Sequence, residues 1–343
     1  MKVNLEMLRS ITQGTVDIKE TEKGIVFSRF SDAQMDLYCN PAAEYQKCFD
    51  EKARFPAGVK LSFKTNSSNL FLRGLTHKTI GVLRFFSVDV KVNGKYLDSM
   101  DNFSHQMVPE DYINTPYMLG IFEKTFDLGV GEKHVCIYLP WSVEFYLQQL
   151  QLDDGATIEP VKPAKKLLVY GDSITQGYDV LRSHKRPLTC VAEMLDAEEV
   201  CKAIGGERFF PALARIREDY TPDYIYVAYG TNDWSHSTRE TFLRNSKEFY
   251  AVLRELYPQT PILAVTPIWR KNHLDQKEFG PFTDVEQGIR DAVAELPNVH
   301  VIRGFDFVPH EEKFYSDLRL HPNARGFEHY AENLCDAVRE VLK

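Results

Sequence analysis

Hydrophobic and polar side chains alternate along several short stretches in the first 155 residues of this 343-residue chain. Val59, Leu61 and Phe63 are separated by serine and lysine, and residues 86–92 repeat the same two-residue period. That period is typical of a half-buried β-strand. Asn93-Gly94 follows the second stretch and favours the two-residue turn of a β-hairpin. No helix of convincing length appears outside residues 1–12, so the pattern predicts an antiparallel β-sandwich.

The hydrophobic pattern changes after Asp153-Asp154-Gly155. Short apolar runs, typical of strands buried on both faces, now alternate with apolar stripes at helical spacing. The runs lie at residues 167–170, 224–229, 262–266 and 299–302, with a weaker candidate at 199–203. The stripes lie at residues 242–256 and 285–296, and a last helix is expected at 324–342. We therefore predict two domains, residues 1–155 and residues 164–343, the second a doubly wound α/β domain with about five parallel strands.

Composition and charge narrow the classes of partner. The formal net charge is −8, whereas a nucleic-acid backbone or an anionic membrane would require a basic face, so neither partner is expected. The chain starts without an apolar leader and has no run of about 18 apolar residues, so we expect a cytoplasmic protein without a transmembrane helix. The six cysteines lack zinc-site spacing, so no metal site is expected. The oligomeric state is left open.

Reactive side chains follow the predicted strands of the second domain, at the edge where such sheets carry their active sites. Gly171-Asp172-Ser173 follows the first strand; the Ser173 hydroxyl could enter the crevice, or the serine could simply cap the next helix. Asn232 follows the third strand, where its amide could point into the same crevice or form an Asx-turn. Gly205-Gly206 follows the weak strand, and paired glycines let a backbone N–H approach a ligand closely.

A histidine lies shortly before the last predicted helix. His321 follows Asp317 in the string Asp-Leu-Arg-Leu-His-Pro-Asn. A histidine in such a loop can act as a general base near neutral pH, and an acid a few residues upstream can orient its ring. We expect activity to fall below about pH 6 as His321 becomes protonated.

These four blocks, in this order, resemble the SGNH (GDSL-type) hydrolase family over residues 166–343. The resemblance implies a flavodoxin-like three-layer α/β domain. It further implies that Ser173 is the nucleophile, His321 the base and Asp317 the acid behind that base. The backbone N–H of Ser173, the N–H of Gly206 and the side chain of Asn232 would form the oxyanion hole. Gly206 is preferred to Gly205 because the family glycine usually precedes a polar residue.

The spacing of the acid departs from the family pattern. The family usually places the acid three residues before the histidine, whereas Asp317 lies four residues before His321. Either a one-residue bulge returns Asp317 to the ring, or a backbone carbonyl orients the ring in its place. Some family members work with a Ser-His dyad, which is the outcome if Asp317 lies out of reach.

A β-sandwich followed by an SGNH domain resembles the two-domain carbohydrate esterases, whose jelly-roll domain precedes a catalytic domain that deacetylates plant polysaccharides. The resemblance implies a serine esterase that removes small acyl groups, acetyl foremost, from a small-molecule or oligosaccharide ester through an acyl-enzyme, without a cofactor. The alternatives are a broad-specificity esterase or lysophospholipase, and a glycan-binding protein with an inactive hydrolase domain. Trp234 and Tyr178 are candidate substrate-contacting residues, although aromatic residues in α/β proteins are more often core.

Overall fold

The computed structural model describes residues 1–39, 49–79, 85–103 and 117–343. Within these residues, the part up to residue 160 contains two antiparallel sheets and is called the sandwich region below. Its strands, in chain order, are β1 (Thr12–Gln13), β2 (Asp17–Thr21), β3 (Gly24–Ser28), β4 (Lys60–Thr65), β5 (Asn69–Thr79), β6 (Ser87–Val92), β7 (Lys95–Asp101), β8 (Gly120–Asp127), β9 (Lys133–Tyr138), β10 (Val143–Leu152) and β11 (Glu159–Pro160). One sheet has the order β1-β4-β9-β6-β7, with β11 beside β4, and the other has the order β2-β3-β10-β5-β8.

The two-residue period of the sequence produces the core between these sheets. Both sheets contribute side chains to one hydrophobic cluster. Its fully buried members include Leu70 and Leu72 of β5 and Val88 and Val90 of β6. Asn93 and Gly94 both have positive φ angles, of 49° and 77°, as the predicted hairpin turn between β6 and β7 requires. The prediction of an antiparallel sandwich is confirmed.

The sandwich region contains more helices than the sequence predicted. Helix α1 (Leu5–Ile11) lies where the sequence allowed a helix, but α2 (Asp32–Cys39) and α3 (Phe49–Ala53) were not expected. In α2 only Gln34 and Tyr38 are buried, so no continuous apolar stripe marks this helix in the sequence. The expectation of no further helix in this region is therefore wrong.

Residues 165–343, called the α/β region below, contain five parallel strands with helices on both faces. The strands are β12 (Lys165–Gly171), β13 (Ala197–Cys201), β14 (Tyr224–Ala228), β15 (Ile262–Val265) and β16 (Val299–Ile302). The α-helices are α4 (Ser173–Gln176), α5 (Pro187–Met194), α6 (Pro211–Ala214), α7 (Thr231–His236), α8 (Arg239–Leu256), α9 (Thr283–Val293) and α10 (Ala324–Val341). Two 3₁₀ helices span Ser183–Lys185 and Glu312–Phe314. The strand order β13-β12-β14-β15-β16 is that of a flavodoxin-like sheet, so the predicted fold class is confirmed.

The apolar run of β12 explains the three layers. Leu167 and Val169 pack into the cluster that contains α5 and α10, whereas Leu168 and Tyr170 pack into the cluster that contains α8 and α9. Alternate residues of a strand point to opposite faces, so a continuous apolar run requires cover on both sides. The weaker strand candidate is β13, displaced by two residues toward the N-terminus from the predicted start.

The segment between the two regions is attached to the sandwich. Strand β11 pairs with β4, and the Val161 amide donates to the Ser62 carbonyl at 3.1 Å. The predicted domain boundary between residues 155 and 164 stays a prediction.

Trp141 of the sandwich region donates through Nε1 to the Val180 carbonyl at 2.8 Å and belongs to the core of the α/β region. None of the helices in the described ranges is both long and apolar enough to cross a bilayer.

Candidate active site

Ser173 lies at the carboxyl end of β12, at the first position of the short helix α4. Asp172 caps this helix, because its Oδ1 accepts the Ile174 amide at 3.0 Å. A side chain on Gly171 would collide with the Thr175 side chain, so glycine lets the first turn of α4 pack directly against the end of β12. The cap is therefore Asp172, which leaves the Ser173 hydroxyl available for another contact.

That contact is the ring of His321. Ser173 Oγ lies 2.9 Å from His321 Nε2, and His321 Nδ1 lies 3.1 Å from Asp317 Oδ2. If Nδ1 carries the proton and donates to the carboxylate, Nε2 is left as the acceptor for the serine hydroxyl. The structure thus brings together the three residues expected to form a triad, in the order serine, histidine, acid.

The longer spacing between Asp317 and His321 is accommodated by a left-handed residue. Leu318 has a φ of 54°, which folds the extra residue outward and leaves its side chain exposed. Asp317 Oδ1 then accepts the amides of Arg319, Leu320 and His321 at 3.0, 2.7 and 3.0 Å. Of the alternatives that the sequence left open, the structure shows the bulge that returns Asp317 to the ring.

Candidate donors for an oxyanion lie in the segments that follow β12, β13 and β14. Gly206 is exposed, with a φ of 90°, and within the described residues neither its N–H nor that of Ser173 donates a hydrogen bond. Asn232 Nδ2 donates to the Glu207 carbonyl at 3.1 Å, which holds the Asn232 amide beside the Gly206 loop and leaves its second N–H for a ligand. In contrast, the Gly205 amide already donates to Gln176 Oε1 at 2.7 Å. This difference favours Gly206 over Gly205 as a donor.

The charges around His321 act in opposite directions on its pKa. Burial alone would lower the pKa of His321, but the hydrogen bond to Asp317 and the negative charges of Asp179, Asp317 and Asp172 raise it above its ordinary value of 6.5. For Asp317, burial would raise the pKa, but the hydrogen bond and charge of His321 and the loop amides hold it well below its usual range. Asp317 is therefore a carboxylate at neutral pH.

Each candidate oxyanion donor has a buried carboxyl group next to it in the chain. Burial raises the pKa of Asp172 to about 6, that of Glu207 to about 8 and that of Asp233 to about 7. The Glu207 carboxyl accepts the hydroxyl groups of Tyr38 and Tyr229. The Glu207 and Asp233 carboxyl groups are therefore protonated at least in part at neutral pH, and a protonated carboxyl opposes a developing oxyanion less than a carboxylate does.

The two aromatic candidates have different positions. Tyr178 is half-buried, and its ring stacks on that of His321 at 5.7 Å between centroids, so it lies at the site. Trp234 is only 1% exposed, its Nε1 donates to the Gly280 carbonyl at 2.9 Å, and its ring packs on Phe282. The expectation that Trp234 contacts substrate is wrong, because helix α7 turns this side chain into the core.

Several residues at the site were not identified from the sequence. Gln176 holds the Gly205 amide and also donates through Nε2 to the Trp141 carbonyl at 3.2 Å. Asp179 accepts the Ser316 hydroxyl beside His321. Gln176 and Asp179 follow Ser173 closely along the chain. This closeness to the predicted nucleophile could have identified them as site residues from the sequence. Among the described residues, no group of three or more His, Cys, Asp or Glu is placed to hold a metal ion.

Comparison with known protein families and sequences gives one match. The model of the GDSL-like Lipase/Acylhydrolase family matches residues 169–329. No curated protein sequence matches the chain significantly.

Solved structures similar to this one share both regions of the fold. The salicylyl-acyltransferase SsfX3 from a tetracycline biosynthetic pathway has a TM-score of 0.79 at 20% identity, over 96% of this chain and 94% of that one. A family two carbohydrate esterase from Cellvibrio japonicus has a TM-score of 0.65 at 18% identity, over 100% and 97% of the two chains. An acetyl xylan esterase from the rumen bacterium Butyrivibrio proteoclasticus has a TM-score of 0.56 at 16% identity, over 83% and 89%. At these identities the likeness shows the fold, and the family model places a GDSL-like lipase/acylhydrolase domain at residues 169–329.

Proposed function

We propose that this protein is a serine esterase in which Ser173 attacks an ester carbonyl and carries the acyl group. The family and the fold support an esterase or acyl-transfer activity in general. The observation that carries the specific proposal is the Ser173 Oγ to His321 Nε2 distance of 2.9 Å, with Asp317 behind the ring. A serine is a weak nucleophile until such a base accepts its proton.

The proposed reaction has two halves. In the first, His321 takes the Ser173 proton as Oγ bonds to the carbonyl carbon, and the electron pair of the carbonyl moves onto its oxygen. The N–H groups of Ser173, Gly206 and Asn232 receive that oxygen, and one such donor contributes about 3 kcal/mol to the transition state. When the carbonyl reforms, the bond to the alcohol breaks and His321 returns the proton to the leaving oxygen. Water then repeats these steps on the acyl-enzyme.

The proposed substrate is a carbohydrate that carries small acyl groups, acetyl foremost. This part of the proposal is supported by the similar structures, among them a family two carbohydrate esterase and an acetyl xylan esterase. The half-buried Tyr178 lies beside His321 and places an aromatic ring near the reacting atoms, and aromatic rings pack well against the C–H groups of a sugar. No metal or organic cofactor enters the proposed steps.

A second candidate is transfer of the acyl group to an alcohol other than water. It is favoured by the similarity to a salicylyl-acyltransferase over nearly the whole length of both chains. The two functions share the acyl-enzyme and differ in what attacks it. They are therefore distinguished by the product and not by the residues of the site.

The test is hydrolysis of p-nitrophenyl acetate and of acetylated xylo-oligosaccharides by the purified protein. We expect release of acetate from both and a Ser173→Ala loss of at least about 10³-fold in kcat. The matched control is Ser62→Ala, which also removes a serine hydroxyl close to a histidine, with Ser62 Oγ 2.8 Å from His134 Nε2 in the sandwich region. The control should keep the activity of the wild type.

The outcomes separate the candidates. Full activity in Ser173→Ala would contradict the mechanism. Wild-type inactivity on both esters, combined with binding of the oligosaccharide, would favour a glycan-binding protein with an inactive hydrolase domain. Preference for long acyl chains would favour a broad esterase or lysophospholipase. Ester products formed on adding an acceptor alcohol would favour acyl transfer.

A further inference from the structure

We infer that Lys52, a residue of the sandwich region, positions the Gly206 N–H for the oxyanion. The inference rests on the proposed function and concerns the same site. Lys52 lies in α3, and its Nζ donates to the Gly205 carbonyl at 2.5 Å. The sandwich region therefore reaches the loop that follows β13 in the α/β region.

The carbonyl that Lys52 binds and the proposed oxyanion donor belong to one peptide group. The C=O of Gly205 and the N–H of Gly206 are joined by a planar bond and point in opposite directions. A cation bound to the oxygen fixes the direction in which the N–H points. It also draws electron density toward the oxygen, which makes the N–H a stronger donor.

This peptide needs such a restraint because glycines flank it on both sides. Gly206 has a φ of 90°, a conformation that glycine enters and leaves at low energy cost. The Gly205 amide is held by Gln176 Oε1 at 2.7 Å, but that contact fixes the preceding peptide group. In the described residues, Lys52 is the side chain whose hydrogen bond sets the orientation of the Gly205–Gly206 peptide.

The backbone of Lys52 is itself fastened to the α/β region. Arg29 is fully buried and donates to the carbonyls of Lys52 at 3.2 Å and Phe55 at 2.5 Å. The same guanidinium donates to the carbonyls of Cys201 at 2.6 Å and Ala203 at 3.2 Å, where β13 runs toward the Gly205 loop. Arg29 thus sets the distance between the Lys52 backbone and the Gly205 carbonyl that the Lys52 side chain binds.

The ammonium group also lies beside Gly206 itself. A methyl group on Gly206 would lie 3.5 Å from Lys52 Nζ and 3.5 Å from the Phe49 ring. Lys52 is held there by its position over that ring, 5.1 Å from the centroid. Through the Gly205–Gly206 peptide that it polarises, this charge favours an oxyanion bound at the Gly206 N–H more than the neutral ester that precedes it.

The experiment compares Lys52→Met, Lys52→Arg and Lys124→Met with the wild type, using p-nitrophenyl acetate. Lys124 is the matched control because it is also a half-buried lysine of the sandwich region. It donates to the Ser99 carbonyl at 2.7 Å and lies 5.5 Å from the Phe126 ring centroid. We expect Lys52→Met to lower kcat by roughly 10- to 100-fold with KM within about 2-fold, less than the loss of a direct donor.

Lys52→Arg keeps a cationic donor and should recover most of the lost kcat, while Lys124→Met should match the wild type. Thermal melting checks that the variants are folded, and Lys52→Gln replaces Lys52→Met if the latter is not. An unchanged kcat in the folded Lys52 variant would overturn the inference. So would a loss confined to KM, or equal losses in the Lys52 and Lys124 variants. If Ser173→Ala loses activity but the Lys52 variants do not, this inference alone is contradicted. If Ser173→Ala keeps its activity, the proposed function is contradicted.

Discussion

At the scale of single residues, the His321 ring lies between a serine hydroxyl and several carboxyl groups. Burial would lower the pKa of His321, but the hydrogen bond to Asp317 and the negative charges of Asp179, Asp317 and Asp172 together outweigh it and raise the pKa above 6.5. A general base works only when it is neutral. The structure therefore moves the expected loss of activity to a higher pH than the value of about 6 expected for an ordinary histidine.

We expect kcat/KM to fall as the pH decreases through a value above 6.5, because His321 then gains a proton. Asp317→Asn should move this limb to lower pH, since it removes the largest contribution that raises the pKa. It should also lower the plateau by on the order of 10² to 10⁴-fold, because the ring loses its orienting carboxylate. A pH profile of kcat/KM for both proteins measures the two effects.

The matched control is Asp306→Asn. Asp306 also lies four residues before a histidine, with its Oδ1 3.2 Å from His310 Nε2, but on the surface. Its pH profile should follow that of the wild type. If kcat/KM of Asp317→Asn falls at the same pH as that of the wild type, the assignment of His321 as the titrating base is contradicted.

At the scale of elements, the loop between the second 3₁₀ helix and α10 forms the acid-base pair. Its shape depends on Leu318, an exposed leucine in a left-handed conformation. The Leu318 amide donates to the Tyr315 carbonyl at 3.3 Å, and the three amides on Asp317 complete the turn. The backbone conformation, and not the side chain of residue 318, brings Asp317 to His321.

Leu318→Pro should therefore lower kcat toward the level of Asp317→Asn. Proline holds φ near −65° and lacks an N–H, and both properties are incompatible with this position. Leu318→Gly should keep the activity, because glycine adopts the left-handed conformation freely. Its free energy of unfolding should change by less than about 1 kcal/mol, since relief of strain offsets the greater freedom of the unfolded glycine.

The measurements are kcat for p-nitrophenyl acetate and urea denaturation of both variants. Full activity in Leu318→Pro would show that the left-handed turn is dispensable. A large loss in Leu318→Gly would show that the leucine side chain itself is required.

At the scale of the whole molecule, buried charged groups join the sandwich region to the α/β region. Arg29 binds carbonyls of both regions, and Lys202 Nζ lies 3.1 Å from Glu218 and 2.6 Å from the Arg29 carbonyl. On another part of the interface, His184 Nδ1 lies 2.8 Å from the fully buried Asp89. Such groups tolerate little movement, because a displaced buried charge loses its partners without regaining water.

We expect Arg29→Met to lower the free energy of unfolding by about 3 kcal/mol, because four carbonyls, three of them in buried hydrogen bonds, lose their donor. Among these carbonyls is that of Lys52, so the variant should also lose kcat at temperatures where it stays folded. Urea denaturation and kcat for p-nitrophenyl acetate test the two effects.

Arg54→Met is the control, since it removes an exposed arginine next to Phe55, whose carbonyl Arg29 binds. It should change stability by no more than about 0.5 kcal/mol. An Arg29→Met protein as stable as this control would refute the proposed fastening role of Arg29.

The amino-acid sequence alone determined the features that depend on local pattern and chain order. The two-residue period predicted the sandwich, and the apolar runs predicted the parallel sheet. In such a sheet the segments after successive strands meet at one edge, so Ser173, Gly206 and Asn232 could be placed together before their distances were known. His321 was added by its resemblance to a family motif. Ser173, Gly206 and Asn232 follow β12, β13 and β14 along the chain, so the strand order alone indicates that they lie at one edge of the sheet.

Only the tertiary structure decided the features that depend on a single backbone angle, a helix rotation or a distant contact. The reach of Asp317 depends on the φ angle of Leu318, and the burial of Trp234 depends on how α7 packs on the core. The contact between Lys52 and Gly205 joins segments that are far apart in the chain. Residue pattern records which side chains are apolar but not which distant peptide group a lysine will reach, because that distance is set by the packing of the two regions.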